Sequence, residues 1–250
     1  MRRMFQLLSF ALLTVSGCLS GSYDEDFRSS LERYRQDGEF QRLRPTPHEL
    51  AEKRLALRVP KLFEAEDAGG EKARSRPPFL QDFPGFRIAF EKVLEAEGAQ
   101  LPVVLSVGVL TDKESGLDDI KKRILNQAQK EAEFAKAAWA VAEGLPDPGG
   151  KTPWSVLRLS GQQTFERIVA GNPETKNTPG ETQIWVSSDP NSKVAAVLAW
   201  RVPAELAATV SLDELAGLVA RTVEFRAAAE EPAPAAVAPD AAPAEPPAAQ

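Results

Sequence analysis

The sequence predicts an α+β domain, a mainly antiparallel sheet of about six strands packed with two main helices, followed by a disordered C-terminal tail. Three observations carry that expectation. Segments alternating apolar and polar residues come in neighbouring pairs separated by turn residues, which is how hairpins read. Two other stretches repeat their apolar residues every three to four positions behind acidic first turns, as amphipathic helices do. The end of the chain is mostly alanine and proline with a few acids and no basic residue, so it cannot bury enough apolar surface to fold. Four zones follow: residues 1–17, 18–50, 51–226 and 227–250.

Residues 1–17 open with Arg2 and Arg3, continue as an apolar run to Val15 and end on small residues. This is a secretory signal peptide, too short to span a bilayer as a permanent helix. Arg2-Arg3-Met4-Phe5 partly matches a twin-arginine signal, but Gln6 and the lack of a polar residue before the arginines favour the general secretory route. Cys18 follows, the only cysteine of the chain. The ending Val15-Ser16-Gly17-Cys18 resembles the lipobox of bacterial lipoproteins. That resemblance implies diacylglycerol on the Cys18 thiol, cleavage before it and acylation of the new amine. Several acyl chains, each buried methylene contributing about 0.8 kcal/mol, anchor a domain stably where one does not. Leu19-Ser20 lacks the aspartate associated with inner-membrane retention, so the resemblance implies the outer membrane in a diderm host.

Residues 18–50 run from Ser20-Gly21-Ser22 to Pro45 and Pro47 and read as a tether. Within it Phe27, Leu31 and Tyr34 fall at helical spacing, a short amphipathic helix at most.

Residues 51–226 are expected to be one domain. Leu55, Leu57 and Val59 alternate, a half-buried strand closed by Pro60. The charged segment from Glu64 to Pro78 reads as an exposed loop. Phe86-Arg87-Ile88-Ala89-Phe90 alternates, and Leu101 to Leu110 is a dense β-type run. Residues 87–97 suit either a hairpin strand or a helix capped by Gly98. Ser115 opens a capping-box pattern with Asp118, ahead of Leu117, Ile120, Ile124 and Ala128 at helical spacing. Ala138–Val141 and Trp154–Leu159 read as strands around the turn at 146–150. Thr182–Ser187 and Lys193–Val202 form the clearest hairpin, with Asp189-Pro190 opening a type I turn. Val194–Ala199 is apolar on both faces, the mark of a central, doubly covered strand. Ser211-Leu212-Asp213-Glu214 is a second capping box, before a stripe of Leu212, Leu215, Val219 and Val223.

This order of elements resembles the PsbP-like and DcrB-like sandwich of secreted and lipid-anchored proteins. Around Phe79–Gly108 and Trp154–Phe165 it is also similar to lipoproteins of planctomycete-type bacteria. Neither resemblance carries a catalytic motif, and only the lipobox cysteine transfers as a site residue.

Composition excludes several functions. Removing residues 1–17 takes away two arginines and no acid, moving the net charge from −6 to −8, against nucleic-acid binding. One histidine and one cysteine leave no zinc or copper site, and no cofactor is implied. His48, directly after the Pro45-Thr46-Pro47 segment, reads as a solvated linker residue, and no Ser-His-Asp set or G-x-S-x-G elbow is present; Ser160-Gly161-Gln162-Gln163 merely follows a strand. Gly149-Gly150-Lys151-Thr152 echoes a phosphate loop, but position 145 is leucine where that loop needs glycine. Asp118 and Asp119, adjacent on a helix, point about 100° apart and serve its dipole. The Asp24-Glu25-Asp26 cluster stands alone in the tether. Trp139, Trp154, Trp185 and Trp200 read as core packing, with an open sugar-stacking face as the alternative. The expectation is a non-enzymatic, membrane-tethered envelope protein with an envelope protein or small ligand as partner. A carboxylate-based envelope hydrolase and a structural spacer are the alternatives.

Overall fold

The computed structural model describes residues 38, 40–67, 76–111, 116–143, 145 and 152–228. Cys18, the Asp24–Asp26 acids, the Phe27/Leu31/Tyr34 segment, Ser115, the turn at 146–150 and the tail beyond 228 lie outside the described residues.

The domain is α+β with antiparallel sheets, as expected, but among the described residues ten strands divide between two sheets. The small sheet orders β1 (His48–Leu50), β2 (Leu55–Leu57) and β10 (Glu224–Phe225) side by side. The large one contains β3 (Glu64–Asp67), β4 (Phe86–Ala96), β5 (Ala99–Thr111), β6 (Trp139–Val141), β7 (Ser155–Val169), β8 (Asn172–Asp189) and β9 (Val194–Pro203). Its order is β3-β4-β5-β9-β8-β7-β6.

Strand β9 sits at the centre, bonded to β5 and β8 along its length. All ten of its residues are buried. Alternation sends Val194, Ala196, Leu198, Trp200 and Val202 into one apolar cluster and Ala195, Val197 and Ala199 into another on the opposite face. The first cluster is roofed by the small sheet and by helix α3 (Leu212–Arg221), which buries Leu212, Leu215, Leu218 and Val219. The second is roofed by helix α1 (Leu117–Ala128), through Ile120, Ile124 and Ala128, together with Leu80, Phe83 and Phe134. Burying each such large side chain contributes roughly 1.5–3 kcal/mol, so the two covered faces hold the layers together.

Several expectations change. Residues 86–96 are a strand, because Glu97 (φ 51°) and Gly98 (φ 75°) form a two-residue turn that returns the chain directly onto β5. Positive φ at both central positions is the twist-matched hairpin turn. Ala170 (φ 49°) and Gly171 (φ 82°) do the same between β7 and β8. The segment expected to be a loop from Glu64 begins with β3, paired on β4. Strand β2 is buried on both faces, Ala56 included, because α3 and the sheet's own core enclose it. The capping box expected at Ser211 does not form. The cap of α1 is Gly116, without a side-chain bond. Before α3 an additional helix, α2 (Ala204–Val210), runs up to Ser211, which turns left-handed (φ 52°) and makes no cap bond.

Residues 40–50, read as tether from the sequence, pack on the domain. Leu43 is buried and bridges to Pro60, and Arg42 donates to the Val210 carbonyl at 2.9 Å. His48 is therefore no linker residue. It meets the Phe90 ring edge-on at 5.2 Å, and burial, followed by the charge of Arg44, holds its imidazole below the usual value.

Candidate functional site

The site arises from a bend in the longest hairpin. Strand β7 pairs over its whole length with β8, from Ser155 opposite Val186 to Val169 opposite Asn172, and in that register Gly161 lies opposite Gly180. Beyond the glycine pair β8 loses contact with β9, whose ladder ends at Pro203. The free half of the hairpin curls over the sheet until Val169 and Ile168 pair with Ala99 and Gln100 of β5. The ring of strands β5-β9-β8-β7 thereby closes on itself.

Both glycines are closely approached, Gly180 by a buried ring and Gly161 by the movable end of the Glu133 side chain. A Cβ on Gly180 would sit 2.6 Å from the Phe165 ring, and one on Gly161 would collide with the Glu133 carboxylate. Glu133 instead accepts the Gln162 amide at 2.8 Å, covering an edge group of β7.

Under the curl lies Arg201, 5% exposed, on the same face of β9 as Ala195, Val197 and Ala199. Its guanidinium stacks 4.4 Å from the Phe165 ring centroid, donates to the Thr164 carbonyl and reaches Gln163 Oε1 at 3.3 Å. Thr182 donates to the same Gln163 oxygen at 2.9 Å. Burial brings the Arg201 pKa down to about 10, against the opposing charges of Glu131 and Glu166. The Glu131 carboxyl is raised, first by burial and then by Glu133, with Arg201 acting the other way.

A groove of about 360 Å³ opens between the curled hairpin and strands β4 and β5, with Arg201 among its lining residues. Its apolar lining includes Val93 and Pro102 from one side and Ile168 and Pro173 from the other. Val93 and Ile168, on opposite sides of the groove, are 43% and 39% exposed. Glu91, Glu166 and Gln100 add polar groups. Such a mixture of apolar wall and few placed polar groups suits capture of a small ligand or an extended segment.

The sequence-predicted residues are not gathered here. Asp118 and Asp119 are exposed in the first turn of α1. Trp154, Trp185 and Trp200 are buried core, while half-buried Trp139 donates to the Lys121 carbonyl at 3.1 Å. The open tryptophan face does not form. Ser160 to Gln163 lie inside β7 rather than after a strand, and Thr152 hydrogen-bonds Ser188 through its amide at 2.9 Å. Among the described residues no cluster of three or more His, Cys, Asp or Glu could hold a metal ion. Arg201 went unnoticed in the sequence, although it is the single charge in the apolar run Val194–Pro203.

A second depression, about 480 Å³, lies on the opposite face between β6, β7 and α3. There Asp213 accepts from Arg158 at 2.9 and 3.1 Å and from fully buried Gln183 at 3.0 Å, and Gln183 in turn accepts from Trp185 at 3.1 Å. This network fastens α3 to the sheet.

No protein-family model matches the chain, and no curated protein matches it. Among solved structures it is similar to the PsbP protein (CyanoP) of the cyanobacterium Synechocystis, 14% identical over 72% of this chain and 92% of that one, with a TM-score of 0.39. It is likewise similar to the Ran-binding protein Mog1p of Saccharomyces cerevisiae, 14% identical over 73% of this chain and 96% of that one, with a TM-score of 0.38. A PsbP structure is thus among its neighbours.

Proposed function

We propose that this is a lipid-anchored cell-envelope protein that works by binding rather than by catalysis. It is exported behind residues 1–17, attached through Cys18 and raised from the membrane face on the tether, and it offers the Arg201 groove to an envelope protein or a small ligand. The observation that carries the binding reading is the groove, where half-exposed Val93 and Ile168 flank a cleft lined by a buried cation. The lipobox-like ending at Cys18 supports the anchor. Among the described residues no helix is long and apolar enough to cross a membrane, so that attachment would rest on the lipid.

A photo-crosslinking residue placed at Val93 in intact cells tests both parts. A discrete product is expected from Val93 and not from Leu62, which is 69% exposed elsewhere. Introducing Cys18→Ala should release the protein from envelope membranes. Identical products from Val93 and Leu62 would reject the groove, and a Cys18→Ala protein that still sediments with membranes would reject the anchor.

Glu91 and Glu166 line the same groove, which is the observation that favours a carboxylate-based hydrolase as a second reading. Turnover of isolated envelope polymers by the wild type, lost in Glu166→Gln, would put it first.

A further inference from the structure

The distal half of the β7–β8 hairpin is attached to the domain in an unusual way. Residues 162–179 pair with each other throughout, yet their ladder to the remaining sheet consists of two residue pairs, Ala99 with Val169 and Gln100 with Ile168. The chain enters and leaves this arm at the Gly161–Gly180 pair, the one level of the hairpin where both strands lack a side chain. Arg201 holds the arm through the Thr164 carbonyl, the Gln163 amide oxygen and the Phe165 ring, while Thr182 donates to the same Gln163 oxygen and Val169 packs against the first apolar cluster. Glu133 adds a bond to the Gln162 amide, next to the glycine pair.

We propose that residues 162–179 are a lid, which swings as a unit about the Gly161–Gly180 pair and is latched over the groove by Arg201. A glycine pair without side chains lets two strands change their mutual bend with little steric cost. The internal ladder of the arm survives the movement, so what is lost on opening is the β5 pairing, the packing of Val169 and the contacts with Arg201, Thr182 and Glu133. Ile168, Phe165 and Pro173 belong to the arm, while Val93 and Pro102 do not. Opening therefore separates the two walls of the groove and exposes its floor. The lid is a property of the hairpin and stands whether the groove takes a protein, a small ligand or neither.

Spin labels at Lys176 on the arm and Glu95 on β4, both exposed, report the movement by pulsed electron resonance. They are placed in the full chain carrying Cys18→Ala, which removes the sole cysteine. The expected result is a short distance dominating in this background and a second, longer and still well-defined distance gaining about tenfold or more in population with Arg201→Met. Phe165→Leu reads the same latch if Arg201→Met does not fold. In the wild type, exchange at the Gln162 amide should proceed at lower urea than at Ile184 on the core part of β8.

An unchanged distance in folded Arg201→Met or Phe165→Leu overturns the latch. A broad distribution in place of a second distance means the arm frays rather than swings, and overturns the hinge. Exchange at Gln162 only with global unfolding overturns the lid altogether. Failure of crosslinking at Val93 would leave these results untouched.

Discussion

Replacing Gly180 by alanine isolates the contact that sets the bend. The added Cβ would lie 2.6 and 2.7 Å from two carbons of the Phe165 ring and 3.3 Å from the Gln163 amide carbon. Ordinary carbon contacts are 3.5–4.0 Å, so the ring must move by most of an ångström, and Phe165 is only 2% exposed. Overpacking of this kind costs about 1–3 kcal/mol, while the loss of glycine's freedom in the unfolded chain returns about 0.4–1 kcal/mol. The net destabilisation lies between about 0 and 2.6 kcal/mol, and its middle of about 1–2 kcal/mol is a fall in Tm of about 2–8 °C for a domain of this size. Urea unfolding of the full chain gives the number, and the decisive comparison is the same substitution made in a Phe165→Leu background. There the ring is gone, and Gly180→Ala should become neutral or stabilising. An equal penalty in both backgrounds would refute the steric argument, because the cost would then belong to the backbone and not to Phe165.

Two further outcomes can be measured. Because the folded His48 pKa lies below the unfolded value of 6.5, the unfolded chain takes up its proton first as the pH falls. Stability should hold above that value and decline below it until the folded imidazole titrates as well; urea midpoints at pH 7.5 and 5 show this, and a His48→Gln protein with the same slope would rule it out. The Arg158–Asp213 pair is 46% and 68% exposed, so a double-mutant cycle to alanine should give about 0.2–1 kcal/mol of coupling, shrinking in 1 M salt. A larger, salt-independent coupling would show that the bridge is tied to the buried Gln183 network.

The parts of the fold legible in the sequence are those where burial alone decides. Strands β5 and β9 are dense apolar runs, and both faces of each meet packed side chains. The stripe on α3 likewise matches the face it buries. Residues 162–179 offer no such signal, being polar, mostly exposed and interrupted by Pro173 and Pro179. Their strand character comes from pairing with each other. Helix α2 follows directly on Pro203 and is only seven residues long, too short for a periodic pattern. Residues 40–50 look like linker because their prolines dominate, while Leu43 and Leu50 are buried only once the small sheet has formed.

The layering is legible in the sequence alone: an acidic chain with one histidine and one cysteine, too few for a zinc site or a Ser-His-Asp set, and apolar periodicities that call for an antiparallel α+β domain. Each depends on residues near one another along the chain. The groove was decided only by tertiary structure. It brings together residues from the segment before β4 and from β4, β5, β7, β8 and β9, between 78 and 201, and it exists because a glycine pair allows β7 to return to β5 over a buried arginine. That closure is a matter of register and of close approach between strands, and neither is written in any local window of the sequence.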